Sequence, residues 1–227
     1  MIDLIYTSGN NRRYAQMTLD AGWLVGMRSD KHAYVPISFI DIDYKHPDFE
    51  RHMRVVQEHN PQYAIVPDMS DQYVDKDDVM RALKQAEQLS AVFCGLVFVV
   101  PKLPRQLAMI PRDFAIAFSV PTSYGGAMFM LWDKDVQDGL ADRRIHLLGG
   151  NPHIQMQYCM HLSSFANVVS ADGNMFQFMS GVQKYWQHGS WKKHPRAGKG
   201  DKEVTHECIQ WSLQNVSEAW NEARKAR

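Results

Sequence analysis

Aspartates recur just past the apolar runs of this chain, and their placement is the first sign of chemistry. Ile37–Ile42 alternates so that Asp41 leaves one face near its end, with Asp43 following on the same side. Tyr63–Val66 runs into Pro67-Asp68, and Ala166–Ala171 delivers Asp172-Gly173-Asn174. Lys102 follows the apolar run Leu96–Val100, Gly149-Gly150 closes Ile145–Leu148, and Thr122-Ser123-Tyr124-Gly125-Gly126 follows Phe114–Val120. Carboxylates gathered at one place repel. One of them is then expected to keep its proton and act as an acid, while another stays ionised as base or nucleophile. That division suits cleavage at a sugar's anomeric carbon, where a nucleophilic carboxylate and a general acid flank the bond. Aspartate also favours such positions as a turn former and helix cap, so it is the recurrence after three separate runs that argues for a site.

These residues meet only if the runs are parallel strands ending on one rim. The segment from Ile145 to Asn174 compresses the required unit. A buried strand is closed by two glycines, Asn151 caps a helix with Pro152 in its first turn, and Ile154, Tyr158 and Leu162 give that helix an apolar face. A second buried strand then ends at Asp172. The same alternation runs through Asp48–His59 and Asp75–Ser90, both amphipathic, and through a short helix over 103–112. With Asp3–Thr7, a helix over Arg12–Asp20 and a strand over Trp23–Met27, the candidate strands number eight. The expectation is a (β/α)8 TIM-type barrel. It is irregular near the N-terminus, because RSDKHAYVP after Met27 is too short and polar for a crossover helix. Residues 182–202 form a basic loop interleaved with aromatics, and Thr205–Ala226 is a C-terminal amphipathic helix that docks through Ile209, Leu213, Val216 and Trp220.

A chain of 227 residues with 45% hydrophobic content suits one such domain spanning residues 1–227. Equal numbers of acidic and basic residues, 25 each, exclude a uniformly basic nucleic-acid coat, so any such contact must be local. Three scattered cysteines, Cys94, Cys159 and Cys208, fit neither a disulfide framework nor a zinc site and point to a reducing cytoplasm. No stretch approaches a membrane span or a secretory leader. His146 is the histidine set inside a strand, where it is placed to face the barrel; the others read as ordinary surface or helix residues.

The order of these pieces resembles that of the tRNA-guanine transglycosylases, and most closely the compact phage and bacterial relatives that insert 7-deazaguanines into DNA. IHLLGGNP, a helix and VVSADGNMF match the family's nucleophile-bearing segment, preceded in order by FIDIDYK, AIVPDMSD and AFSVPTSYGG. The resemblance covers about residues 37–174 and lies in order rather than in letters. It implies Asp172 as the nucleophile, Asp41 or Asp43 as the general acid/base, and Asp68 as reader of the guanine edge. Tyr124, Gly125 and Gly126 would line the base pocket, beside Lys102, Gly149, Gly150 and Asn174. It implies a DNA partner, or an RNA one, and a free 7-deazaguanine base, in a bacterial cell or a phage's bacterial host. No metal or organic cofactor is required, since the family's Cys-x-Cys-x-x-Cys and His zinc site is absent here. Lys184, Trp186, Trp191, Lys192, Lys193, Arg196 and Lys199 of the basic loop would contact phosphates and stack on an extruded base. Two rivals use the same rim. One is a small-metabolite or sugar-phosphate barrel enzyme, with phosphate at the glycine pair and the acids moving protons; the other is a non-catalytic nucleic-acid-binding barrel.

Overall fold

The computed structural model describes residues 2–120, 133–198 and 201–225. Eight parallel strands hydrogen-bond in sequence order and close on themselves: β1 (Asp3–Tyr6), β2 (Leu24–Arg28), β3 (Phe39–Asp41), β4 (Tyr63–Ile65), β5 (Leu96–Val99), β6 (Ala115–Ser119), β7 (Arg144–Leu148) and β8 (Asn167–Gly173). The ring is sealed where β1 lies against β8, from Asp3 opposite Ser170 to Tyr6 opposite Gly173. This is the (β/α)8 TIM-type barrel that the alternation of runs predicts. β6 shows why its strands are continuous apolar runs: all five residues are buried, since helices cover one face and the barrel lumen takes the other.

The outer layer consists of α1 (Arg12–Asp20), α2 (Phe49–His59), α3 (Lys76–Ser90), α4 (Pro104–Leu107), α5 (Lys134–Leu140), α6 (Pro152–Leu162), α7 (Met175–Gly181) and α8 (Lys202–Lys225). Asn11, Asp48, Asp75 and Asn151 each cap the helix that follows, accepting a hydrogen bond from a backbone N–H of its first turn. A lumen core of Ile5, Phe39, Ile65, Phe98, Val100, Ala115 and Ala117 fills the barrel beneath the rim. Among the described residues no helix is long and apolar enough to cross a membrane.

The irregularity expected near the N-terminus lies between β2 and β3, where residues 29–38 form no helix. Backbone bonds hold this connection instead: Ser29 N–H donates to Asp41 O, Tyr34 N–H to Gly9 O and Ser38 N–H to Val25 O. The C-terminal helix begins at Lys202 rather than Thr205, because Asp201 Oδ1 accepts from the Glu203 and Val204 amides. Its buried Ile209, Leu213, Val216 and Trp220 dock as expected, and Trp23 Nε1 donates to Ser217 Oγ at 2.7 Å. The basic segment is not an open loop. It folds as the hairpin β9 (Lys184–Gln187) and β10 (Ser190–Lys193), with Trp186 opposite Trp191. His188 and Gly189 both take positive φ, 45° and 77°, which fits a two-residue turn matched to the strand twist.

At the opposite end of the barrel, Gly95 leads into β5 under tight constraint. A Cβ there would lie 2.5 Å from Pro61 O and 2.6 Å from Gln62 O, both fixed backbone atoms. Gly95→Ala is therefore expected to destabilise the fold by about 1–3 kcal/mol, the usual range for overpacking. A urea midpoint equal to that of the wild type would refute this.

Candidate active site

The C-terminal ends of the strands surround a cavity of about 540 Å³. Thr7 comes to it from beyond β1, Arg28 and Asp41 from the ends of β2 and β3, and Asp68 and Lys102 from beyond β4 and β5; Ser119, Gly149 and Asp172 come from the ends of β6, β7 and β8. Strand ends distant in sequence thus become neighbours, which is what barrel closure does for chemistry.

Asp172 is the most firmly held of these groups. It is 6% exposed, and three donors converge on it. Gly149 N–H reaches Oδ1 at 2.8 Å, His146 Nε2 reaches the same oxygen at 3.2 Å, and Thr7 Oγ1 donates to Oδ2 at 3.2 Å. A carboxylate can only accept, so His146 carries its hydrogen on Nε2; in the neutral ring Nδ1 then accepts from Ser170 Oγ at 2.8 Å. The imidazole is wholly buried and lies between the Phe39 and Phe98 rings, at 5.0 and 5.2 Å between centroids. The backbone is fastened as well: Gln155 Nε2, from α6, donates to both Gly149 O (2.6 Å) and Asp172 O (2.5 Å).

Asp41 faces the same cavity in a different electrostatic state. Burial pushes its carboxyl well above the usual carboxylate range, the neighbouring charge of Asp172 adds to this, and the Ile42 N–H at 2.7 Å offsets only part of it. Asp68 is also raised by burial, and its ion pair with Lys102, Nζ to Oδ2 at 2.7 Å, holds the rise back. Lys102 Nζ donates in addition to Ser119 Oγ at 2.9 Å, and only 7% of the residue is exposed. Gln106 fixes this turn by accepting from the Lys102 and Leu103 amides and donating to Ser70 O.

The structure therefore gathers Asp172, Asp41, Asp68, Lys102, Gly149 and Asn174 around one space. It separates Asp43 from them. Arg28 Nη2 donates to Asp43 Oδ2 at 3.1 Å while the same guanidinium grips Asp30 at 2.7 and 2.8 Å, so Asp43 braces Arg28 and does not face the cavity. Gly150 turns away from the cavity, with φ 92° after φ 67° at Gly149. Tyr124, Gly125, Gly126 and Lys199 lie outside the described residues. Within the hairpin, Trp186 is 1% exposed and cannot stack on an extruded base; its backbone N–H is held by Ser212 Oγ at 2.8 Å. Trp191 leans on Phe176, and Arg196 is paired with Glu207. Lys184 is half-buried, which leaves Lys192 and Lys193 exposed.

Sequence reasoning passed over Thr7, Arg28, Ser119, Ser170 and Gln155. The first three stand at the ends of correctly placed strands, so a search for any polar residue there, rather than for acids alone, would have found them. Ser170 and Gln155 act through bonds that only the packed structure reveals. Among the described residues no group of three or more His, Cys, Asp or Glu side chains is arranged to hold a metal ion.

Fold and rim together define a (β/α)8 barrel with a carboxylate-rich site at the strand C-termini. Residues 18–221 match DUF6610, a family of unknown function, and the chain belongs to that family. No curated protein matches it. Among solved structures it is similar to the YdjI aldolase from Escherichia coli K12, with 10% identity, a TM-score of 0.55, and coverage of 98% of this chain and 90% of that one. It is also similar to a sugar phosphate isomerase/epimerase from Parabacteroides distasonis, with 8% identity, a TM-score of 0.50, and coverage of 93% and 91%. At such identities the likeness shows a shared fold. The base exchange expected from the transglycosylase resemblance is corrected by these findings. The two barrels named are an aldolase and an isomerase/epimerase, neither of them a base-exchange enzyme, and the buried Trp186 removes a stacking residue on which the nucleic-acid reading relied.

Proposed function

We propose that the protein is an enzyme that enolises a small hydroxylated carbonyl compound, the step that isomerisation and aldol cleavage have in common. The observation that carries this is the pairing, across one cavity, of a carboxylate anchored by three donors with a carboxyl whose hold on its proton burial strengthens. Asp172 has Oδ1 committed to Gly149 and His146, so Oδ2, bonded among the described residues only to the Thr7 hydroxyl, is the oxygen that takes the proton. When Asp172 removes a proton from the carbon beside the carbonyl, the C–H electrons form the C=C bond and charge moves to the carbonyl oxygen. Asp41 donates its proton to that oxygen, and the Lys102 ammonium lowers the energy of the developing negative charge. Isomerisation is completed when Asp41 takes the proton of the hydroxyl on the carbon that Asp172 deprotonated, that oxygen becomes the new carbonyl, and the C=C electrons take the proton back from Asp172 at the former carbonyl carbon. In aldol cleavage Asp172 instead takes the proton of the hydroxyl on the carbon β to the carbonyl, the O–H electrons form a new C=O there, and the C–C bond breaks to give an enol whose oxygen receives the Asp41 proton.

The test is solvent exchange. Incubation in D₂O with a set of aldoses, ketoses and their phosphate esters is expected to replace the hydrogen next to the carbonyl of at least one of them, seen as loss of its proton NMR signal. Absence of exchange across the set overturns the reading.

A further inference from the structure

The charge around the rim says more about the substrate than the fold does. Among the described residues four carboxyl groups line the cavity, Asp41, Asp68, Asp71 and Asp172, against two cations, Arg28 and Lys102. Both cations are already balanced by the chain's own acids, Arg28 by Asp30 and Asp43 and Lys102 by Asp68, so neither gives the rim a surplus of positive charge. Residues 121–132, which follow β6, contain no charged side chain, so they bring no further cation wherever they lie.

The backbone after β4, β5 and β7 gives the same answer, whereas after β8 Asn174 caps α7 without a side-chain hydrogen bond. Barrels bind phosphate with free amides beyond the strand ends. Here the Gly149 N–H is given to Asp172, the Ser70 N–H to Asp78 at 2.8 Å, and the Lys102 and Leu103 N–H groups to Gln106. Asn151, the N-cap of α6, takes the His153 N–H at the start of the helix that follows the glycine pair. The phosphate site expected at Gly149 by the sugar-phosphate rival is therefore already filled from within. The cavity instead offers carboxylate and hydroxyl oxygens, which accept hydrogen bonds from hydroxyl or ammonium groups.

We infer that the substrate is an unphosphorylated polyhydroxylated compound, neutral or carrying an amine, and that phosphate esters are excluded by like charge. This rests on the proposed small-metabolite function and narrows it. The test measures binding of free ketoses and aldoses, each matched with its phosphate ester, together with inorganic phosphate, by thermal shift and ligand-observed NMR. At least one free sugar or amino sugar is expected to bind about tenfold or more tightly than its ester, a difference of roughly 1.4 kcal/mol. Inorganic phosphate is expected to give no shift. Asp71, exposed at the cavity mouth, supplies the control: Asp71→Lys should raise the affinity of the ester relative to that of its parent sugar several-fold. An ester that binds more tightly than its parent, an ester-to-parent affinity ratio indifferent to Asp71→Lys, or no binding by any free compound overturns the inference. A free sugar that binds without solvent exchange would sink enolisation alone, whereas an ester that both binds and exchanges would sink only the exclusion of phosphate.

Discussion

Asp172→Asn is expected to lower turnover by about a thousandfold, within the range by which a positioned base accelerates proton transfer, and to leave the fold intact. Asparagine has the same shape, and its amide oxygen can still accept from Gly149 N–H and His146 Nε2, the two bonds that hold Oδ1. What is lost is the oxygen facing the Thr7 hydroxyl, replaced by an NH₂ that cannot take a proton. The effect should therefore fall on kcat, with KM changed little, and the melting temperature should stay within a few degrees of the wild type. Solvent-exchange rates and thermal melts on the same preparation check both halves. Turnover within tenfold of the wild type would remove Asp172 from the role of base.

The barrel could be read from the sequence because its strands are buried on both faces and its helices on one, and these two conditions leave different periodicities. β6 and β8 announce themselves as apolar runs, and α2, α3 and α6 as helices with polar caps. Positions just beyond each strand were likewise readable, which is why Asp41, Asp68, Lys102 and Asp172 could be named before any of them was seen to share a space. What could not be read was direction and pairing. Asp41 and Asp43 share a strand face by alternation, yet β3 ends at Asp41 and the chain bends so that Asp43 meets Arg28, a residue whose partners no local pattern reveals. Trp186 and Trp191 look alike in a basic loop. Only the hairpin and its seat on α8 decide that one is sealed in and the other leans on Phe176.

The base exchange drawn from the transglycosylase resemblance went astray for a related reason. Agreement in the order of acids and glycines along a chain is what many barrels share, since each must end its strands at one rim and turn there. Function resides instead in which donors meet which acids. Here they place the His146 imidazole behind Asp172 and the Lys102 side chain beside Asp68.

Asp41 should show the cost of holding a proton for catalysis. Burial and the charge of Asp172 raise its folded-state pKa above the ordinary carboxylate value of about 3.9. Between those two values the folded protein keeps a proton that the unfolded chain releases, so this group's contribution to stability falls as pH rises through that window. Below the window both states are protonated and the contribution vanishes; above it the full penalty remains. Asp41→Asn is therefore expected to melt higher than the wild type at pH 7, with the gap closing as pH is lowered toward 4. Each tenfold of altered proton affinity is worth about 1.4 kcal/mol. The difference between the two proteins is the quantity to follow, because His52 works against it in the wild-type curve. Burial lowers that imidazole from 6.5 to about 4, so the unfolded chain binds the extra proton there and acid destabilises. Asp68, raised in the same direction as Asp41, stays in the variant and leaves a residual slope. Activity should move oppositely to stability. The wild-type rate is expected to decline on the alkaline side as Asp41 loses its proton, and the variant should lose that limb along with about a hundredfold of its rate. Melts and pH–rate profiles between pH 4 and 9 test both. A variant that is less stable at pH 7 and keeps the alkaline limb would show that Asp41 is neither strained by its site nor the acid of the reaction.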